Sequence, residues 1–257
     1  MKRSAFIIIT HNNVKVLTKC IASIVKFSTN PYHIFLVDNA STDDTIGFCV
    51  SSIQNLTYIR NNVNIWWGGG INQGIKLSSD FDYIFFLNDD IEVYQGWDKN
   101  HIDVLDSDFG IGAVGPMDSS VLDWQNYDRV LKVFKPDLPK LENVDRQDIV
   151  AMNQNILMTK QKAFSVKGML AFFCVAFKRT TIDKIGMLDE EFIMGGDDDD
   201  YCRRLDAMGF SLSILLNTYI IHHGGVSTKN NRNSEWKNEQ RKKNIALLKR
   251  KHPDYYK

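Results

Sequence analysis

The feature that most constrains this chain is a run of three short apolar segments, "AFIIIT" (5–10), "HIFLVD" (33–38) and "LTYIR" (56–60), each separated by a stretch of different periodicity. Short continuous apolar runs of this kind suit strands buried on both faces. Between the first two, Val14, Leu17, Ile21, Ile24 and Val25 recur at helical spacing, with Asn12 or Asn13 placed to cap them. Between the second and third, "STDDTIGFCVSSI" reads as another capped helix. A β-α-β-α-β order implies parallel strands with helices on both faces and a ligand crevice at the strands' C-terminal ends. The expected fold is therefore α/β, a mostly parallel sheet flanked by helices. At 257 residues one large domain is expected over 1–225, with 226–257 a basic helical extension of it.

The strand ends carry "THNN" (10–13), "VDNAS" (37–41) and, after "DYIFFL" (82–87), "NDD" (88–90). A carboxylate directly after a buried strand is costly unless it meets solvent, a cation or donors. Asp89 and Asp90 thus suit Mg²⁺ or Mn²⁺, which one or two carboxylates and substrate phosphates usually hold; a plain polar turn has the same look. In "NIWWGGGINQG" (64–74) three glycines are expected to precede a helix and let backbone approach a ligand phosphate. The dinucleotide alternative fails, because its glycine fingerprint belongs after the first strand, where "THNN" stands. Trp66 and Trp67 can stack on a base or sugar, or pack onto the core.

After "GIGAVGPM" (110–117) the chain to about residue 165 reads as loops or a flap, with Trp124, Tyr127, Pro136 and Pro139. Order is expected again from "GMLAFFCVAFKR", through a helix near 180–185, a helix to about 208, and a strand "SLSILL" (211–216) leading to "YIIHHGGVS". His222 and His223 alternate in direction, so at most one points into any given site.

The helix ending near 208 opens with "GGDDDDYC", in a chain whose 31 acidic and 31 basic residues otherwise balance. Four adjacent carboxylates exceed what capping needs and repel one another unless a cation, a base or a shared proton relieves them. Zero net charge gives no reason to expect nucleic acid as a partner. No apolar run approaches the ~20 residues of a membrane span. The apolar stretch after "MKR" is too short for a signal peptide, so a cytoplasmic location is expected. Cys20, Cys49, Cys174 and Cys202 show no zinc or disulfide spacing.

Taken in order, "IITHNNVKVLTKCIASI", "IFLVDNASTDDT", "NIWWGGGINQGI", "FFLNDDIEV" and "GMLDEEFIMGGDDDDYCRRLDAMGF" resemble the motifs of family 2 glycosyltransferases of the GT-A fold, especially the rhamnosyltransferase-like bacterial branch. The resemblance implies an inverting, metal-dependent transferase. It would take a UDP-, dTDP- or GDP-sugar donor and a glycan or lipid-linked glycan acceptor in surface polysaccharide synthesis, the acceptor lying towards 118–168. It further implies that Thr10, Asn12, Asp38, Asn64, Trp67, Gly70, Asn72, Asn88, Asp89 and Asp197 contact the nucleotide-sugar, Asp38 meeting the base. Asp90 and His222 would hold Mn²⁺ or Mg²⁺, and Asp198 would be the general base. Asn88 stands where the family's metal motif often has aspartate. Asp199 and Asp200, four residues before Arg203 and Arg204, are left to support the helix. A non-catalytic nucleotide- or glycan-binding subunit on the same fold is the alternative. A sugar-phosphate nucleotidyltransferase would need a glycine-rich basic loop after the first strand, which is missing here. The basic residues from Lys229 to Lys251 fit a solvated helix, a flap over a diphosphate, or a patch for peripheral contact with the inner membrane face.

Overall fold

A computed structural model describes residues 2–45, 47, 53–118, 125–134, 162–224 and 234–256. Residues 46 and 48–52 of the expected helix over "STDDTIGFCVSSI", Cys49 among them, and most of the 118–168 region lie outside the described residues.

One eight-stranded sheet organises the chain, in the order β3-β2-β1-β4-β8-β6-β9-β7. Its strands are β1 (Ser4–Thr10), β2 (Tyr32–Asp38), β3 (Leu56–Arg60), β4 (Tyr83–Asn88), β6 (Ile111–Met117), β7 (Ala163–Val166), β8 (Cys174–Lys178) and β9 (Ser211–Tyr219). The first four are mutually parallel. β8 runs antiparallel to both β4 and β6, and β7 antiparallel to β9, so the sheet is mostly parallel with two reversed strands.

Alternation along the strands sends successive side chains to opposite faces. Ile7, Ile9, Phe35, Val37 and Phe86 meet Ile71 and Ile75 of α2 (Trp66–Leu77) and Tyr201, Cys202 and Leu205 of α6 (Asp197–Ala207) on one face. Phe6, Ile8, Leu36, Phe85 and Leu87 meet Leu17, Cys20 and Ile24 of α1 (Val14–Phe27) and Trp97 and Leu105 of α3 (Trp97–Ser107) on the other. β1 and β4 are apolar along most of their length because both faces are covered.

Several boundaries differ from expectation. The glycines of "WWGGG" do not precede a helix: α2 starts at Trp66, and they lie inside it. A Cβ on Gly70 would fall 2.8 Å from Ile9, and one on Gly74 2.4 Å from Ile7, so these glycines let α2 press onto β1. The region expected as loops contains α4 (Tyr127–Phe134) and β7. α5 (Arg179–Ile185) and α6 form close to where they are expected. β9 continues to Tyr219, after which β10 (Ile221–His222) pairs antiparallel with β5 (Ile91–Glu92) in a small ribbon. α7 (Ser234–Lys251) follows. Cys20, Cys174 and Cys202 are buried, and none of them forms a disulfide with another of the described residues. No helix among the described residues is long and apolar enough to cross a membrane.

Candidate active site

The parallel strands β1, β2 and β4 end at one edge of the sheet, where a cavity of about 650 Å³ opens. Its wall includes Thr10 and His11 from β1 and the turn after it, Asn39 after β2, and Asn88, Asp89 and Asp90 from the end of β4. Asn64, Trp66 and Trp67 line it from the start of α2, Met194, Gly195, Asp197 and Asp198 from the start of α6, and His222 from β10. Ala171, Phe172 and Phe173 ahead of β8 add an apolar side, and Lys237 of α7 adds a cation.

The two aspartates after β4 have different tasks. Asp89 is 5% exposed, and its two oxygens accept hydrogen bonds from Thr10 Oγ1 (2.7 Å) and Asn13 Nδ2 (3.1 Å). Burial pushes its carboxyl up to about 7 against the lowering effect of those donors. It therefore ties β1 to β4. Asp90 instead faces the ribbon: β10 pairing with β5 sets His222 opposite Ile91 and brings its Nε2 within 3.3 Å of Asp90 Oδ1. The imidazole stacks on Phe173 at 5.0 Å between ring centres, and its Nε2 also lies 3.2 Å from Asn88 Nδ2. His223 turns the other way, its Nε2 3.0 Å from Glu92 Oε1.

The acidic run divides along helical geometry. Asp199 and Asp200 pair with Arg203 and Arg204 at 2.9 and 2.8 Å, one turn on. Asp197 and Asp198 stay on the cavity wall. Asp197 Oδ1 accepts the N–H of Asp198 at 3.2 Å, and Asp198 Oδ1 accepts the N–H of Asp199 at 2.9 Å, so each serves a free donor of the first helical turn. Burial raises the pKa of both above the ordinary carboxylate value, with the Asp198 charge adding to the effect on Asp197.

Other residues named from the sequence do not reach the cavity wall. Asp38 is fully buried; its Oδ2 accepts from Tyr58 Oη (2.5 Å) and Arg60 Nη1 (2.6 Å), and its Oδ1 from the N–H of Ser41. Asn12 joins the turn after β1 to the turn after β2 through Ser41 and Thr42. Gly70 faces Ile9. Asn72 donates to the Leu188 carbonyl and Glu190 and accepts from the Leu188 N–H, so it fixes the segment ahead of α6. Asn64 does reach the cavity, where its Oδ1 also accepts the N–H of Trp66 at 2.8 Å.

His11, Asn39 and the 171–173 segment are not singled out by the sequence, whereas Lys237 belongs to the basic stretch from Lys229 to Lys251, one reading of which is a flap over a diphosphate. His11 and Asn39 flank motif residues, and His11 Nδ1 sits 2.7 Å from the Asn39 carbonyl, so position in the motif was the available signal.

Residues 5–186 match the family model described as "Glycosyl transferase family 2". No curated protein matches the chain. Among solved structures, GalNAc-T7 with UDP, GalNAc and Mn²⁺ superposes with a TM-score of 0.64 at 16% identity, covering 86% of this chain and 44% of that one. S. aureus TarS 1–349 in complex with UDP-GlcNAc gives a TM-score of 0.62 at 16% identity, covering 91% of this chain and 62% of that one. The chain thus spans about half to three-fifths of the length of these neighbours. They are GT-A glycosyltransferases, and this chain has their fold. By the family match over residues 5–186, the chain belongs to glycosyl transferase family 2.

Proposed function

We propose that the protein transfers a sugar from a nucleotide-diphospho-sugar to a hydroxyl acceptor with inversion at the anomeric carbon. The observation carrying this reading is the meeting of two acidic groups of different kinds on one cavity wall: Asp90 beside His222, and Asp197 with Asp198 at a helix start. Asp198 accepts the proton of the acceptor hydroxyl as that oxygen attacks carbon 1, and the bond from carbon 1 to the diphosphate breaks. One base is enough, because the diphosphate departs as an anion rather than needing a proton. Thr10, His11, Asn39 and Asn64 face the space for the nucleotide, Trp66 and Trp67 bring indole surface to a base or sugar, and the buried Phe172 and Phe173 back its apolar side.

Asp90 and His222 form an oxygen–nitrogen pair open to the cavity, and among the described residues no third histidine, cysteine or acidic side chain completes a closed cage. That donor set fits a divalent cation such as Mn²⁺ or Mg²⁺ that shares its remaining positions with donor phosphates. The ion would supply charge stabilisation to the departing diphosphate. Lys237 places a second positive charge on the same wall.

A panel of UDP-, dTDP- and GDP-sugars tests the reading. One of them should raise the unfolding temperature and release its nucleoside diphosphate when acceptor is supplied. Stabilisation without turnover would favour a binding subunit; no stabilisation by any member would remove the donor assignment. Surface polysaccharide as the destination and a lipid-linked acceptor are part of the same proposal, as are a cytoplasmic location and peripheral membrane contact. Flotation with anionic vesicles tests the membrane contact.

A further inference from the structure

The segment leading into α6 has an unusual backbone. Met194, Gly195 and Gly196 take φ values of 58°, 103° and 88° in succession. A non-glycine residue in the left-handed region is strained and persists only where its surroundings enforce it. The Gly196 carbonyl accepts the N–H of Asp200 in the first turn of α6, but the carbonyls of Ile193 and Gly195 lie outside any helix or sheet and need donors from elsewhere.

Those donors come from one side chain of α7. Asn244 Nδ2 lies 2.7 Å from the Ile193 carbonyl and 2.6 Å from the Gly195 carbonyl, so both of its amide hydrogens are used on the turn. Asn244 is 5% exposed, and its Oδ1 accepts from Gln240 Nε2 one helical turn earlier at 3.2 Å, which sets which way the amide faces. A Cβ on Gly196 would fall 3.5 Å from the Asn244 Cβ, so the turn also lies close against the helix. Further along, α7 is tied to the same segment: Lys251 pairs with Asp189 and, at 2.8 Å, with Glu191, while Arg250 reaches Glu191 at 3.0 Å. His252, just beyond α7, meets Asp200 Oδ1 at 2.7 Å.

We infer that Asn244 is a positioning residue: it holds the Ile193–Gly196 turn so that Asp197 and Asp198 enter the cavity in a fixed arrangement. The catalytic part of this inference rests on the reading of Asp198 as the base; the structural part does not. Residue 195 is two positions before Asp197 and three before Asp198, so rotation in a freed turn passes directly to both carboxylates. A misplacement of the reacting group by about 1 Å can cost ~10²-fold in rate while leaving donor contacts elsewhere untouched.

The test compares Asn244→Ala, Asn244→Asp and Asn244→Gln with the parent by amide hydrogen exchange of peptides covering 189–200, by kcat, and by donor dissociation constant for the nucleotide-sugar that stabilises the parent. Asn244→Asp keeps the shape and replaces the donor with an acceptor facing two carbonyls, so it decides the matter if the alanine variant does not fold. Exchange at least tenfold faster and confined to 189–200 is expected in the Ala and Asp variants. With it should come a tenfold or greater fall in kcat, a donor constant within twofold of the parent, and partial recovery in Asn244→Gln. Unchanged exchange in a folded Ala or Asp variant would overturn the inference. So would exchange raised across the whole molecule with kcat and donor affinity falling together. Asp198→Asn is run in parallel: parental transfer by that variant would refute the base assignment, while the exchange data still decide what Asn244 does.

Discussion

Asp198 and Asp199 are neighbours in the chain, yet the helix sends one to the cavity and the other to Arg203. Their asparagine variants should separate accordingly. Asp198→Asn keeps shape but cannot take the acceptor's proton, so its single-turnover rate should fall by ~10² to 10⁴-fold with donor affinity little changed. Asp199→Asn loses a helical ion pair and should cost only a few tenths of a kcal/mol. Near-parental transfer by the first variant, or a larger loss in the second, would put the base elsewhere. In the parent, the rate should climb with pH through a midpoint above the ordinary carboxylate value, because burial raises the Asp198 pKa. That limb should be missing from Asp198→Asn. At Asp90 and His222 a different coupling is expected: Mn²⁺ or Mg²⁺ should tighten donor binding in the parent and have little effect in His222→Ala. Calorimetric titration with and without the ion measures it, and equal donor affinity under both conditions in the parent would count against the pair.

At the scale of elements, α2 sets a clear expectation. Glycine inside a helix is normally worse than alanine by ~0.5 to 1 kcal/mol, so Gly74→Ala would stabilise an isolated α2. Here the added methyl would fall 2.4 Å from Ile7, which is fully buried in β1 and cannot retreat. Overpacking of this kind costs ~1 to 3 kcal/mol, so the variant should be less stable by about 1 to 2 kcal/mol net. Urea unfolding tests this, and a stabilised variant would mean that α2 can lift from the sheet at no cost. The same glycines show where the sequence could be read and where it could not. β1, β2 and β4 were legible because burial on both faces leaves an unbroken apolar signature. The glycines of α2 look like loop residues in isolation, and only the nearness of Ile7 and Ile9 gives them a helical purpose. His222 was legible from its motif, whereas the β5–β10 ribbon that delivers it is two residues a side and leaves no periodic signal. Asn72 and Asn244 grip backbone carbonyls of residues 188–195, contacts that leave no pattern in the chain.

For the molecule as a whole, pH should act on stability through the core as well as the cavity. His101 is fully buried among Phe85 and Trp97; its Nδ1 meets the Trp97 carbonyl at 2.7 Å, and its Nε2 has no hydrogen-bond partner among the described residues. Burial lowers its pKa from 6.5 to about 4. Above pH 6.5 the ring is neutral in both folded and unfolded chains. As pH falls towards 4 the unfolded chain takes up the proton first, so stability is lost, by up to ~3 kcal/mol. Asp89 works in the opposite sense: raised to about 7, it makes the fold lose stability as pH rises between about 4 and 7. The difference between parent and His101→Phe isolates the histidine. The variant should lose less stability than the parent between pH 6.5 and 4 in denaturant titrations, and equal losses would contradict the assignment. A last consequence follows from where the grip on the acidic turn comes from. Asn244, Lys251 and His252 are translated some fifty residues after the segment they hold, 189–200. On a ribosome the sheet can assemble while that turn still lacks its donors, so a nascent chain should acquire its fold before it acquires its chemistry.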